Sequence, residues 1–163
     1  MNTADIATAV SALQLCALVL FYTVQNAPGT SISSTLSCDE TSCVLFTCAL
    51  ALFISLQLLL LTEGVELVLI ASWAFALLLR YPAGTQLHDA FAGVFVGSYL
   101  LLLLLRIRKS AAAAVLWVTA VCLLIAWVST KNNTLQWVAW VFISLVECAL
   151  NIGQKYYLLS SSE

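Results

Sequence analysis

The sequence predicts an all-α integral membrane protein, a compact bundle of six transmembrane helices with short loops, in one polytopic domain over residues 1–163. Three observations predict it. The chain is 63% hydrophobic and 9% charged, with a mean hydropathy of +1.03. Soluble domains carry about 25% charge, and so few charged side chains could not cover a water-soluble surface. Apolar stretches recur near the ~20 residues that a helix needs to cross a bilayer. Runs such as Leu58-Leu59-Leu60-Leu61 and Leu100 through Leu105 lack the alternation at period two that a transmembrane barrel requires. Helices, which pair their own backbone, are then the structure that lipid permits.

The first span is expected over 6–24. Met1 to Asp5 carries an acid and no base, against the basic start of a cleaved signal, so this span reads as an uncleaved signal anchor. The second span is expected over 44–61 and the third over 65–79, parted by Thr62-Glu63-Gly64. Glu63, Glu66 and a helix-weakening Gly64 are poorly placed in mid-bilayer, so a turn at the membrane surface is expected there. The alternative is four or five spans plus a re-entrant hairpin over 44–80. The fourth span is expected over 90–105, the fifth over 111–128 and the sixth over 137–152. The third and fourth are short, which calls for tilt or local thinning of the bilayer.

Six spans put both termini on one side, with Arg106, Arg108, Lys109 and Lys155; the other side has Arg80 and Lys131. Lys and Arg accumulate on the cytoplasmic face, so both termini are expected in the cytosol. The opposite side carries the sequon Asn132-Asn133-Thr134, which makes Asn132 a candidate N-glycosylation site close to a span. It also carries Cys38 and Cys43, a candidate disulfide in an oxidising compartment. Two cysteines and the single His88 are too few for a zinc site, so no metal and no cofactor are expected. These features favour the secretory pathway or plasma membrane, with an organellar inner membrane as the alternative. Tyr22, Tyr81, Trp127, Trp137, Tyr156 and Tyr157 fall near span ends, where amphipathic rings sit. Trp73, Trp117 and Trp140 lie deeper. Cys16, Cys48, Cys122 and Cys148 read as small apolar packers within spans.

The functional lead is the set of polar residues inside the membrane: Gln14 in the first span, Gln57 in the second, Glu147 and Asn151 in the sixth. Such groups are costly in lipid and face the bundle interior. Trp140, Ser144, Glu147 and Asn151 recur at spacings of four, three and four, which puts them on one helical face. Ser11 and Gln14 form a similar short stripe. On these boundaries Gln14, Gln57 and Glu147 lie about 7–12 Å in from the cytosolic end, where Glu63 and Glu66 mark the surface. The set reads either as interhelical glue or as the lining of a cytosol-facing cavity for an ion, a proton or a small solute. Glue is the favoured reading, with each bond worth roughly 0.6 kcal/mol. Gly93 and Gly97 form a GxxxG pair that, with Ala90, makes a smooth face for close helix packing. The Arg106-Ile107-Arg108-Lys109 cluster reads as a cytosolic turn that snorkels to lipid phosphates.

No phosphate loop, metal-ligand cluster, nucleophile–base pairing or CxxC motif occurs in the sequence. The expected function is therefore non-catalytic: a structural, accessory or assembly subunit of a membrane protein complex. The alternative is a small oligomeric ion, proton or solute transporter or channel built around an intramembrane carboxylate. The expected partners are membrane lipids and other transmembrane proteins or further copies of this chain, not nucleic acid.

Overall fold

The computed structural model describes residues 3–24, 31–32, 35, 41–60, 64–107 and 110–160; at positions 3–4, 21–24, 41–43, 57–60 and 154–160 the description covers backbone alone. Among the described residues the fold is entirely helical, with six α-helices: α1 Thr3–Val24, α2 Thr41–Leu60, α3 Val65–Arg80, α4 Gln86–Arg106, α5 Ala111–Thr130 and α6 Asn133–Ser160. Three segments are long and apolar enough to cross a membrane: Gln86–Arg106, Ala111–Thr130 and Asn133–Gly153. Asp5–Leu20 and Val44–Leu56 are shorter apolar stretches.

Local chemistry sets the helix ends. Thr85 caps α4, its hydroxyl accepting from the His88 N–H at 3.2 Å. This cap starts α4 four residues before the apolar run that marked the expected span. Ser110 caps α5 through the Ala113 N–H at 3.2 Å. Lys131 takes the left-handed conformation and closes α5 with a bond from its N–H to the Trp127 carbonyl at 2.7 Å. Asn132 then accepts from the Thr134 N–H at 3.1 Å and opens α6. At 28 residues, α6 is much longer than the stretch expected from hydropathy. Its final turns are polar, and a hydropathy window discards them.

Burial follows helical periodicity. α1 buries Ala7, Val10, Ser11, Gln14 and Leu18, at steps of three, one, three and four. α2 buries Phe46, Leu50 and Ile54 in a single row. α3 buries Ala71, Ala74, Phe75 and Leu78. α6 buries far more of its surface, because α1, α4 and α5 all pack against it. α1 also packs on α2, and α3 packs closely along α4; α2 meets α3, and α4 meets α5 and α6, more loosely.

Side-chain contacts fix the directions. Ser11 meets Asn151 and Gln14 meets Ser144, so α1 and α6 are antiparallel. Phe95 stacks on Trp140 at 5.9 Å and Arg106 bonds Asn151, so α4 and α6 are parallel. Phe75 packs on Phe95 at 4.9 Å and Tyr81 stacks on Phe91 at 5.7 Å, so α3 and α4 form an antiparallel hairpin. The loose α4–α6 contact is bridged by large rings: Phe95 and Tyr99 from α4 both meet Trp140 of α6. The Trp117 indole N–H of α5 donates to the Leu100 carbonyl of α4 at 3.0 Å.

Several placements differ from the sequence expectation. Trp137 is not in an interfacial belt: it is 2% exposed and packs against Phe46 at 5.8 Å. Its ring is drawn inward because α2 and α6 meet at that end of the bundle. Cys16, Cys48 and Cys122 face outward instead of packing, and Cys148 is half-buried. All four are free thiols. Cys38 lies outside the described residues, as does the Cys43 side chain, and nothing among the described residues supports a bond between them. Outward faces elsewhere are apolar, with Leu13, Leu45, Trp73, Val115 and Ile125 each more than half exposed.

Gly64 joins the α3–α4 hairpin to its surroundings with φ of 73°, and a Cβ there would sit 3.1 Å from Leu102 Cδ2 and 3.4 Å from Leu105 Cδ1. Gly93 is helical, and a Cβ there would meet nothing within 4 Å. The two glycines should therefore respond with opposite signs. Gly64→Ala should cost about 1–2 kcal/mol, the usual penalty of a side chain in the left-handed region. Gly93→Ala should gain about 0.5–1 kcal/mol from reduced backbone freedom. Denaturant unfolding of both variants in one detergent would check this; equal effects would contradict the placement of Gly64.

Candidate functional site

Five buried polar side chains gather where α1, α4 and α6 meet. Ser11, Gln14 and Ser144 are fully buried, and Glu147 and Asn151 are 1% exposed. α6 supplies Ser144, Glu147 and Asn151 from one face, because residues three and four apart stack on a helix. α1 lies antiparallel against that face and brings Ser11 and Gln14 to it. Gln57 has no described side chain, Glu63 lies outside the described residues, and Glu66 is exposed in the first turn of α3.

Asn151 is the most connected member. Its amide nitrogen donates to the Ala7 carbonyl at 3.1 Å and to the Ser11 hydroxyl at 3.3 Å. Its carbonyl oxygen accepts from the Arg106 guanidinium at 2.8 Å. One side chain thus ties α6 to both α1 and α4. The Ser11 hydroxyl turns back on its own helix, 3.0 Å from the Ala7 carbonyl and 3.1 Å from that of Thr8. Further along, the Gln14 amide donates to the Ser144 hydroxyl at 3.2 Å. Between these two links the Tyr99 hydroxyl donates to Glu147 Oε1.

Two acceptors in this cluster lack a hydrogen-bond partner among the described residues: Gln14 Oε1 and Glu147 Oε2. Ser144 relates the two residues, since it bonds Gln14 and stands one turn from Glu147 on the same face. A buried acceptor left unmet costs about 1–3 kcal/mol.

Sequence reasoning missed Tyr99 and misplaced Arg106. Arg106 is half-buried and reaches into the bundle to Asn151 instead of serving only as a snorkelling anchor. Tyr99 precedes a run of six leucines, and that was its signal: a phenol in such surroundings needs a partner for its hydroxyl. His88 is also buried, with Nδ1–H donating to the Tyr81 carbonyl at 2.9 Å and Nε2 unpartnered among the described residues. It sits at the opposite end of α4 from Arg106, away from the cluster. At that end the Gln136 side-chain oxygen accepts from the Ile32 N–H at 2.9 Å and pins the first connection to α6. Gly93 and Gly97 lie outside any site: both are exposed on α4, and no described atom covers them. Asn132 is exposed at the start of α6. No group of three or more metal-ligating side chains occurs among the described residues.

The Tyr99–Glu147 bond should be measurable by a double-mutant cycle. Tyr99→Phe leaves Glu147 Oε1 unmet and should cost about 1–2 kcal/mol. In a Glu147→Leu background the same change should cost a few tenths at most, because the acceptor is already gone. Additive costs would mean that the two side chains do not interact.

Compared with protein-family models, with characterised proteins and with solved structures, the chain finds no match in any of the three.

Proposed function

We propose that this chain is a multi-pass membrane protein whose six helices all cross the bilayer, and that it acts without catalysis as a structural or assembly subunit through lateral contacts with transmembrane partners. The observation that carries this reading is the outer face of α4. Ala90, Gly93 and Gly97 form an exposed strip on which a Cβ at either glycine would meet nothing within 4 Å. Small residues four apart let a second helix approach backbone to backbone, and in lipid such close packing is a main source of association. The inner face of the same helix is filled by Phe95, Ser98, Tyr99, Leu102 and Leu103. The outer face is thus free for a helix from another chain, either a different subunit or a second copy.

The alternating directions of α1, α3, α4 and α6 support six crossings with both termini on one side. The charge bias of Arg106, Arg108, Lys109 and Lys155 over Arg80 and Lys131 supports a cytosolic location for that side. α3 is the shortest helix at 16 residues, about 24 Å by helical rise, so it needs tilt or thinned lipid to cross. The alternative, a small transporter or channel, is favoured by one observation alone: the two unmet acceptors near Ser144.

Two experiments test the subunit reading. Tags at the two termini, probed with protease in sealed vesicles, should be accessible from the same face; opposite faces would overturn the six-crossing topology. Gly97→Leu should leave the folded chain at least as stable as the parent, because nothing packs on that position, yet reduce the mass of the particle purified in mild detergent. An unchanged particle would overturn the docking role of α4.

A further inference from the structure

We propose that Glu147 and Gln14 hold an exchangeable proton at the centre of the bundle, reached from the end that carries Arg106. This goes beyond the subunit reading and stands or falls separately from it. Loss of lateral association in Gly97→Leu says nothing about Glu147, and the reverse holds as well.

The geometry points to a proton in three steps. First, two buried oxygens of the cluster are reached by no donor. Tyr99 occupies Glu147 Oε1, and one N–H of the Gln14 amide goes to Ser144. Glu147 Oε2 and Gln14 Oε1 are left without a donor among the described residues. A proton on Oε2 converts that oxygen from acceptor to donor. It can then satisfy Gln14 Oε1, directly or through one water, so a single proton resolves both unmet atoms.

Second, a proton fits better than a metal cation. Hard cations take about six or more oxygen ligands, and only two oxygens here are uncommitted. Arg106 stands one turn of α6 further on, bonded to Asn151. No described group pairs with Glu147 as a counter-charge. From α4 the titratable or charged groups are Tyr99 and Arg106, with His88 and Asp89 at the far end of the helix; from α6, Cys148; from α1, Asp5 in its first turn and the outward-facing Cys16. The inward side chains of α2, α3 and α5 among the described residues are apolar. An ionised carboxylate would lie in that setting without a cation, which is costly. The neutral acid would not.

Third, the surroundings are asymmetric along the helix axis. From Glu147 toward the end of α6 the contacts stay polar: Ser11, Asn151 and then the half-buried Arg106. Beyond Ser144 in the other direction come Trp140, Phe95 and then Trp137 against Phe46, an aromatic layer between the cluster and the buried His88 and Gln136 at the far end. A proton leaving Glu147 Oε2, with its O–H bond broken and the electron pair kept on the carboxylate, therefore passes to water at the Asn151 end. Asn151 is the positioning residue on this route, holding Ser11 of α1 and Arg106 of α4 at its mouth.

Infrared spectroscopy of the full chain in lipid vesicles tests this. The expected result is a carbonyl band of a neutral carboxylic acid that is lost in Glu147→Gln and moves in Glu147→Asp. The aspartate variant keeps the assignment possible if the glutamine variant does not fold. On transfer to D2O the band should shift within minutes, and in Asn151→Leu that shift should be at least tenfold slower. Absence of any neutral-acid band would overturn the proton. A band that does not shift over hours would show a sealed structural carboxyl and overturn the exchange. Equal exchange rates in Asn151→Leu and the parent would overturn the route.

Discussion

A polar group buried among apolar side chains has no water to turn to, and that constraint organises the interior of this protein. Ser11, Gln14, Tyr99, Glu147 and Asn151 each sit where a helix packed on another helix can supply a partner. Apolar contact alone would not choose these pairings, because lipid chains are as apolar as leucine and reward no particular neighbour. The hydrogen bonds do choose. Asn151 admits one register between α1 and α6, since a shift of one turn would take its amide away from the Ala7 carbonyl and from Ser11. The same side chain then fixes how far along α6 the end of α4 can lie, because Arg106 must reach its carbonyl oxygen.

The two halves of the bundle are held differently. α1, α5 and α6 approach closely, and small residues make this possible: Ala7, Ala113, Ala120 and Ala139 are all buried there. The α3–α4 hairpin is tight within itself, through Ala71, Ala74 and the Phe75–Phe95 pair. It stands further from α6, at a distance bridged by Phe95, Tyr99 and Trp140. Rings stacked across that distance give area and orientation, but they permit sliding more readily than interlocked alanines do. The Tyr99–Glu147 and Arg106–Asn151 bonds are directional and oppose that sliding.

Much of this order was legible from spacing. Six apolar runs became six helices among the described residues, three of them long and apolar enough to cross a membrane, and the ends shifted where a cap such as Thr85 or a polar tail such as that of α6 extended a helix past its hydropathy. The four-three-four spacing of Trp140, Ser144, Glu147 and Asn151 put them on one face, and Ser11 with Gln14 on another. Spacing within one helix does not say which helix lies opposite. That is why Tyr99 stayed hidden in its leucine run and Arg106 read as a surface anchor: both roles depend on α4 running parallel to α6. Outward and inward faces are also hard to separate when both are apolar. Cys16, Cys48 and Cys122 look the same in sequence whether they face lipid or core, and the structure turns them outward. Trp137 is ambiguous in a similar way, since a ring near a span end can serve the interface or the interior.

α4 carries the features on which both proposals rest. Its inner face presents Tyr99 to the carboxyl of Glu147, and its outer face presents Gly93 and Gly97 uncovered. The inner face meets α6 through few backbone approaches, while the same helix lies tightly along α3. The Tyr99–Glu147 and Arg106–Asn151 bonds therefore set the register of the α3–α4 hairpin on α6, where packing alone would leave it loosely defined.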